Sequence, residues 1–337
     1  MDLPTRFDNL RDLARLPWFE PFEDRVVTKA GLLPPIIDVH SHVALAYLRP
    51  MKIDLYADTG TTEYYLPSCC SVDLEPYVNV NIGPDQLAEM KRDLSFRAAT
   101  GRGMRRTHTV PNLVREMDEL GVERSILLPI DFPFFSENAS YAISAGKRTE
   151  RLVAFGSVHP YSPNLAAKLD LQVATGIRGI KVHPAVQLVA PDDPRAMELY
   201  RLAGERNLVV LWHCGPVGIE LGISRKLSQV HLYEKPLAEN PKTKFILGHS
   251  GALQFEDALE LVKKYPNAYL ETSSQGLVGL RRILESAPPE RILFGSDWPF
   301  YHQAIPLAKV LILTEKDPKL RRAILRDNAV KLLGLPD

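Results

Sequence analysis

Residues 35–42 read Pro-Ile-Ile-Asp-Val-His-Ser-His. A short unbroken apolar run that stops at polar residues is the pattern of a strand covered on both faces. The pattern recurs seven times, at Ser125–Ile130, Leu152–His159, Ile177–His183, Leu208–His213, Lys244–His249, Ala268–Thr272 and Arg291–Asp297. Helix-like stretches with apolar residues three or four apart separate the runs, most clearly Pro194–Arg206 and Phe255–Tyr265. Strands alternating with helices imply βαβ units and a parallel sheet. From the second run onward the strand ends follow one another every 22–36 residues. Eight near-equal units predict an α/β fold of the (β/α)8 TIM-barrel type, with a doubly wound sheet as the fallback.

The rhythm breaks once. From His42 to Asp131 is 89 residues, about 60 more than one unit needs. A long insertion over residues 44–107 is therefore expected after the first strand, distorting the barrel. Within it, the stretch from Leu48 to Gly103 holds four tyrosines, Tyr56, Tyr64, Tyr65 and Tyr77, which predict that it is ordered as a lid, because disordered segments are poor in aromatics. Residues 1–34 read as an N-terminal extension and 35–337 as one barrel domain. The chain holds 41 Lys plus Arg and 41 Asp plus Glu. That balance excludes a polybasic nucleic-acid binder at the level of composition. No apolar run approaches the length of a membrane span, and the charged N-terminus lacks an apolar signal core. The three cysteines, Cys69, Cys70 and Cys214, are too few and too oddly placed for a disulfide framework. A reduced cytoplasmic protein is expected, with a small-molecule partner and neither nucleic acid nor membrane.

The nine histidines are not scattered. His40, His159, His183, His213 and His249 each end a predicted strand, and His42 lies two residues beyond His40. In a parallel barrel all strand C-termini open on one face, where active sites form. One mouth would thus gather several imidazoles, the commonest metal ligands near neutral pH. Asp38, His40 and His42 alternate, so in a strand they share a face, about 6.6 Å apart between successive members.

The order D-x-H-x-H (38–42), G-I-K-V-H-P (179–184), L-W-H-C-G (211–215), G-H-S-G (248–251) and F-G-S-D-W-P (294–299) resembles the amidohydrolase superfamily. Within it the chain is most similar to the amidohydrolase-2 branch, the metal-dependent hydrolases related to aminocarboxymuconate-semialdehyde decarboxylase. The closing R-D-N-A-V-K-L-L-G-L (326–335) is similar to that branch's C-terminal helix. The resemblance runs from about Pro35 to Leu335. It implies one divalent ion, Zn2+ first, with Mn2+ or Fe2+ as alternatives, held by His40, His42, His213 and Asp297. It also implies that Asp297 handles a proton of the attacking water and that His249 stabilises an oxyanion or acts as acid and base. Asp38 is expected to orient a ligand imidazole. Lys181 and His183 are expected near the substrate, with Glu271 and Trp298 as further contacts or supports. In some branches a strand-4 lysine is carboxylated and bridges two metals, which leaves one or two ions open for Lys181. His159 is expected to be structural. Arg49 and Arg106 are candidates to pair a substrate carboxylate, although solvated loop positions are the plainer reading.

The activity implied is hydrolysis of a C–N or C–O bond in a small carbonyl or carboxylate compound. The same metal chemistry allows the alternative of non-oxidative decarboxylation, or hydration, of a small carboxylic acid. Two rivals stand further off. Gly248-His249-Ser250-Gly251-Ala252 nearly matches a serine nucleophile elbow, with Asp297 and His302 following in order. A metal-stabilised scaffold without activity is the other. The resemblance also allows a homodimer.

Overall fold

The computed structural model describes residues 3–45, 52–95, 97, 102–132, 136–220 and 222–336. All eight predicted strands are present: β1 (Ile36–Ser41), β2 (Val122–Leu127), β3 (Leu152–Ala154), β4 (Gly179–Val182), β5 (Val209–His213), β6 (Phe245–Gly248), β7 (Ala268–Glu271) and β8 (Ile292–Leu293). Strands β4 to β8 pair in parallel in that order, and β1 to β3 do the same. Backbone hydrogen bonds join the two sheets at both seams. Between β3 and β4, Gly156 N–H donates to Gly179 O at 2.8 Å and Lys181 N–H donates to Gly156 O at 2.9 Å. Between β8 and β1, Val39 N–H reaches Phe294 O at 2.9 Å and Asp297 N–H reaches His40 O at 2.8 Å. The result is the TIM barrel expected from the strand rhythm. Val39 of β1 and Leu211 of β5, on opposite sides of the ring, share one buried cluster, so side chains fill the barrel.

Two strands are shorter than their apolar runs. After Ala154 the backbone of Ser157 bonds to the Gln172 side chain, at 3.0 Å from Ser157 N and 2.9 Å to Ser157 O, instead of to a neighbouring strand. After Leu293, Phe294 N–H turns to Ile324 O and Asp297 adopts a left-handed φ of 64°. Extended geometry ends there because the chain must aim Asp297 at β1.

Each strand is followed by at least one helix, and the barrel helices are α1 (Val110–Leu120), α2 (Asn138–Gly146), α3 (Leu165–Val173), α4 (Pro194–Glu205), α5 (Glu234–Glu239), α6 (Phe255–Lys264), α7 (Leu277–Ser286) and α8 (Ala304–Leu313). Shorter or additional helices include Pro84–Ser95 in the insertion and Pro184–Gln187 after β4. Local chemistry sets their ends. Asp193 caps α4 by accepting from Arg195 N–H, with Pro194 in the first turn. Helix α6 starts with Glu256 and Asp257 and ends with Lys263 and Lys264, matching its dipole. Its Ala258, Leu259, Leu261 and Val262 face the core. No described helix is long and apolar enough to cross a membrane.

The insertion and the N-terminal extension support each other. Val72–Asp73 pairs antiparallel with Arg6–Phe7, and Leu10 N–H donates to Ser68 O at 2.9 Å. Tyr65, Leu66, Leu74 and Val78 of the insertion are buried. Residues 75–76 lie directly on the loop after β7. A Cβ placed on Gly276 would sit 2.2 Å from the carbonyl oxygens of both Glu75 and Pro76.

Candidate metal centre

Strand β1 is buried along its whole length and delivers His40 and His42 to the mouth of the barrel. Each imidazole is fixed by its far nitrogen. His40 Nδ1 lies 3.0 Å from the Glu271 carboxylate, and His42 Nδ1 lies 2.7 Å from Leu128 O. A carbonyl and a carboxylate only accept, so both Nδ1 atoms carry the proton. The two Nε2 atoms therefore present lone pairs, and they face each other across 3.2 Å. Asp297 Oδ1 completes a triangle, 3.5 Å from His40 Nε2 and 3.4 Å from His42 Nε2. Three acceptors converge on one point.

That triangle fits a metal. With metal–ligand bonds of about 2.0–2.1 Å, tetrahedral donors lie about 3.3–3.4 Å apart. Two imidazole nitrogens and a carboxylate oxygen suit zinc and its borderline neighbours. Burial, then the nearby Lys181, pushes the His40 imidazole well below its ordinary pKa, so it stays neutral and able to ligate.

The rest of the predicted set falls around this point in distinct roles. His213 does not join the triangle. Its Nδ1 lies 3.1 Å from His249 Nε2, and its buried Nε2 has no hydrogen-bond partner among the described residues, with Glu220 4.0 Å away. His249 Nδ1 lies 2.8 Å from Ser273 Oγ, whose own proton goes to Glu271 at 2.8 Å. The chain of donors thus leaves a lone pair on His213 Nε2, so the atom remains chemically fit to be a fourth ligand. Lys181 is buried, its Nζ 3.4 Å from His40 Nε2, and burial lowers its pKa to about 8. His183 caps the short helix Pro184–Gln187 and stacks on His213 at 4.0 Å between ring centroids.

Three supports differ from the sequence expectation. Asp38 holds backbone instead of an imidazole. It accepts from His40 N–H at 3.0 Å and Ser296 N–H at 2.9 Å, tying β1 to the loop that carries Asp297. Burial raises its pKa to about 7. The imidazole is oriented by Glu271, which is fully buried and lies behind the ligands, away from the cavity. Trp298 also points away, its indole N–H donating to Glu116 at 2.9 Å. His159 is tied to Gln187 O at 2.9 Å, a structural role as expected. Arg106 pairs with Glu63 on the surface at 3.0 Å, and Arg49 lies outside the described residues. Ser250 donates to Glu271 O at 2.7 Å, while His302 Nδ1 accepts from Ala304 N–H at 3.1 Å. Those commitments give the serine-hydrolase arrangement no relay.

Several contributors carried no signal by themselves. Tyr301 donates to Asp297 Oδ2 at 3.2 Å and Ser274 to the same oxygen at 3.4 Å, which leaves Oδ1 for the histidines. Ser273 and Ser274 lie two and three residues past Glu271, and Tyr301 is four residues past Asp297. Proximity in sequence was the only hint. The triangle opens on a cavity of about 250 Å³, also lined by His183, His213, His249, Tyr77 and Glu220.

Solved structures share this architecture at low identity. An uncharacterized TIM-barrel protein from Bordetella bronchiseptica aligns at 17% identity over 90% of this chain and 99% of its own, with a TM-score of 0.60. A 2,6-dihydroxybenzoate decarboxylase bound to 2,6-dihydroxybenzoate aligns at 17% identity over 75% and 96%, TM-score 0.56. A probable 2-pyrone-4,6-dicarboxylic acid hydrolase from Acinetobacter baumannii aligns at 16% identity over 89% and 100%, TM-score 0.54. At such identities these likenesses speak for the fold alone. No curated protein matches the chain. The family model described as amidohydrolase, Amidohydro_2, matches residues 37–335, a span holding every one of these donors, and the chain belongs to that family.

Proposed function

We propose that the protein is a metal-dependent hydrolase that cleaves a C–N or C–O bond in a small carbonyl or carboxylate compound. The observation that carries this reading is the convergence of His40 Nε2, His42 Nε2 and Asp297 Oδ1 within 3.2–3.5 Å at the floor of a cavity. These residues would hold one divalent ion, Zn2+ first, with Mn2+ or Fe2+ as alternatives, and His213 would offer the fourth donor. Such an ion, when bound, polarises a carbonyl and acidifies water near neutral pH. The chain supplies the rest. Asp297 Oδ1 faces the cavity while Tyr301 steadies Oδ2, so Oδ1 is placed to accept a proton from an attacking water. His249 is backed by Ser273 and presents an Nε2 lone pair toward His213, so it is placed to take up a proton as a base and can act as an acid only after it has done so. Lys181 adds positive charge beside His40.

The test is metal content per chain by elemental mass spectrometry, then turnover of a panel of esters, lactones and amides by the loaded protein. One equivalent of metal with metal-dependent turnover is expected. Two equivalents would bring Lys181 in as a carboxylated bridge. One of the three named neighbours is a decarboxylase and another a probable hydrolase, so the panel includes decarboxylation of small carboxylic acids. Carbon dioxide release without ester, lactone or amide turnover would replace hydrolysis with decarboxylation.

A further inference from the structure

The cavity has two unlike halves. Its floor is the cluster of histidines around Asp297. Its walls include Leu45, Ile130, Val186, Val217, Ile219 and Phe300. Among the described lining residues Lys181 is the only lysine or arginine, and it is spent beside His40. A polyanion would find no further cationic side chain there. The shape and chemistry fit a compound with one polar head and an apolar body.

One polar group in this cavity is unexplained. Tyr77 comes from the insertion, not from a barrel strand. Its side chain is 9% exposed, and its hydroxyl has no hydrogen-bond partner among the described residues. Ser274 is its polar neighbour, but the Ser274 hydroxyl is already engaged with Tyr301, Asp297 and His249. A buried unpaired hydroxyl costs stability, so one in a cavity marks a place for a ligand. The position is rigid. Val78 N–H donates to Ser274 O at 2.9 Å, Asn79 Nδ2 donates to Val217 O at 2.9 Å, and the ring packs on Val217 and Ala252. Burial and the acidic groups nearby keep the phenol protonated, hence a donor.

We infer that Tyr77 is a substrate-binding residue, its hydroxyl donating a hydrogen bond to a carboxylate or carbonyl oxygen of a small, single-headed, otherwise apolar substrate. The inference rests on the proposed site for its setting and adds the group by which the insertion reads the substrate's head. It also explains why the insertion is pinned to the loop after β7: the donor must arrive at a fixed height above Asp297.

Benzoate, one carboxylate on an apolar ring, is the probe. Its binding to the full chain is followed by tyrosine difference absorbance, with and without added Zn2+. Wild type is expected to give a tyrosine signal that is absent in Tyr77→Phe, and the variant should bind benzoate at least about tenfold more weakly. Tyr56→Phe, which alters an exposed hydroxyl bonded to Ser144, should keep both signal and affinity. Equal affinity in wild type and Tyr77→Phe overturns the inference, as does a wild type that gives no benzoate signal in either state. Zn2+ uptake, measured on the same samples, separates the two readings. A Tyr77-dependent signal in a protein that takes up no metal supports the inference while removing the metal centre.

Discussion

The Nε2 atoms of His40 and His42 stand 3.2 Å apart while both Nδ1 atoms are committed elsewhere, His40 to Glu271 and His42 to Leu128 O. Two lone pairs aimed at each other, with a carboxylate oxygen beside them, are electrostatically unfavourable without a cation between them. The protein keeps them together because the acceptors behind each ring leave no other tautomer. The site is thus arranged to take a positive charge beyond that of Lys181.

Replacing one corner should remove the ion and leave the barrel. His42→Ala and Asp297→Ala are expected to abolish turnover and to lose more Zn2+ affinity than the about 10–100-fold that an outer hydrogen bond is worth. Both should keep wild-type far-ultraviolet circular dichroism. Wild type should gain about 4 kcal/mol when free Zn2+ exceeds its Kd a thousandfold, and the variants should gain almost nothing. Thermal melts with Zn2+ and with a chelator measure this. Equal gains in all three proteins would remove these residues from the metal site.

Glu271 would act on a bound ion through His40. Its carboxylate also receives Ser273 N–H at 2.7 Å and the Ser273 hydroxyl at 2.8 Å, so it is locked in place. Glu271→Gln keeps the volume but puts an amide against donors. Zn2+ affinity should fall about 10–100-fold with ligand identities unchanged. Competition against a chelator of known affinity reads the number. An unchanged affinity would mean that His40 orientation is set by β1 alone.

Lys309 of α8 gives a pH signature distinct from the centre. It is buried and donates to Gln275 O, and burial lowers its pKa to about 7. The folded state therefore prefers the neutral amine, while the unfolded chain stays protonated up to about 10.5. Between those values the unfolded state binds more protons, so stability rises with pH from about 7 to 10.5, by at most about 1.4 kcal/mol per unit from this group. Below about 7 the full cost of burying the amine is present. Lys309→Met should flatten that slope. Urea unfolding of the metal-free protein at pH 7 and pH 9.5 tests it. A slope unchanged by the substitution would assign the effect to other groups, Lys181 among them.

Gly276 tests whether the insertion must lie close to β7. A methyl there meets two carbonyl oxygens at 2.2 Å, both belonging to backbone that cannot swing aside. Gly276→Ala should cost about 1–3 kcal/mol by overpacking. It should also weaken benzoate binding by moving Tyr77, while Zn2+ uptake stays as in wild type. A variant that binds benzoate normally would mean that residues 75–77 can relocate without consequence.

Much of the fold was written in local pattern. Eight apolar runs at near-equal spacing suffice for a parallel barrel, because a strand covered on both faces needs continuous apolar residues whatever its neighbours are. His40, His42 and Asp297 were legible for the same reason: strand ends in such a barrel share one mouth. The short β3 and β8 were not, since Gln172 and Ile324 capture backbone that periodicity assigns to a ladder.

The sequence alone therefore determined the barrel and its mouth, which follow from the period of single segments, while the donor set His40, His42, His213 and Asp297 was what the resemblance to the amidohydrolase-2 branch implied. Tertiary structure decided what those donors do. Glu271 orients a histidine 231 positions away. Asp38 holds backbone, His213 stands against His249 instead of beside His40, and Tyr77 reaches the cavity from an insertion. Such roles depend on register, rotamer and tautomer, which are set by contacts between segments far apart in the chain, and no local pattern encodes those.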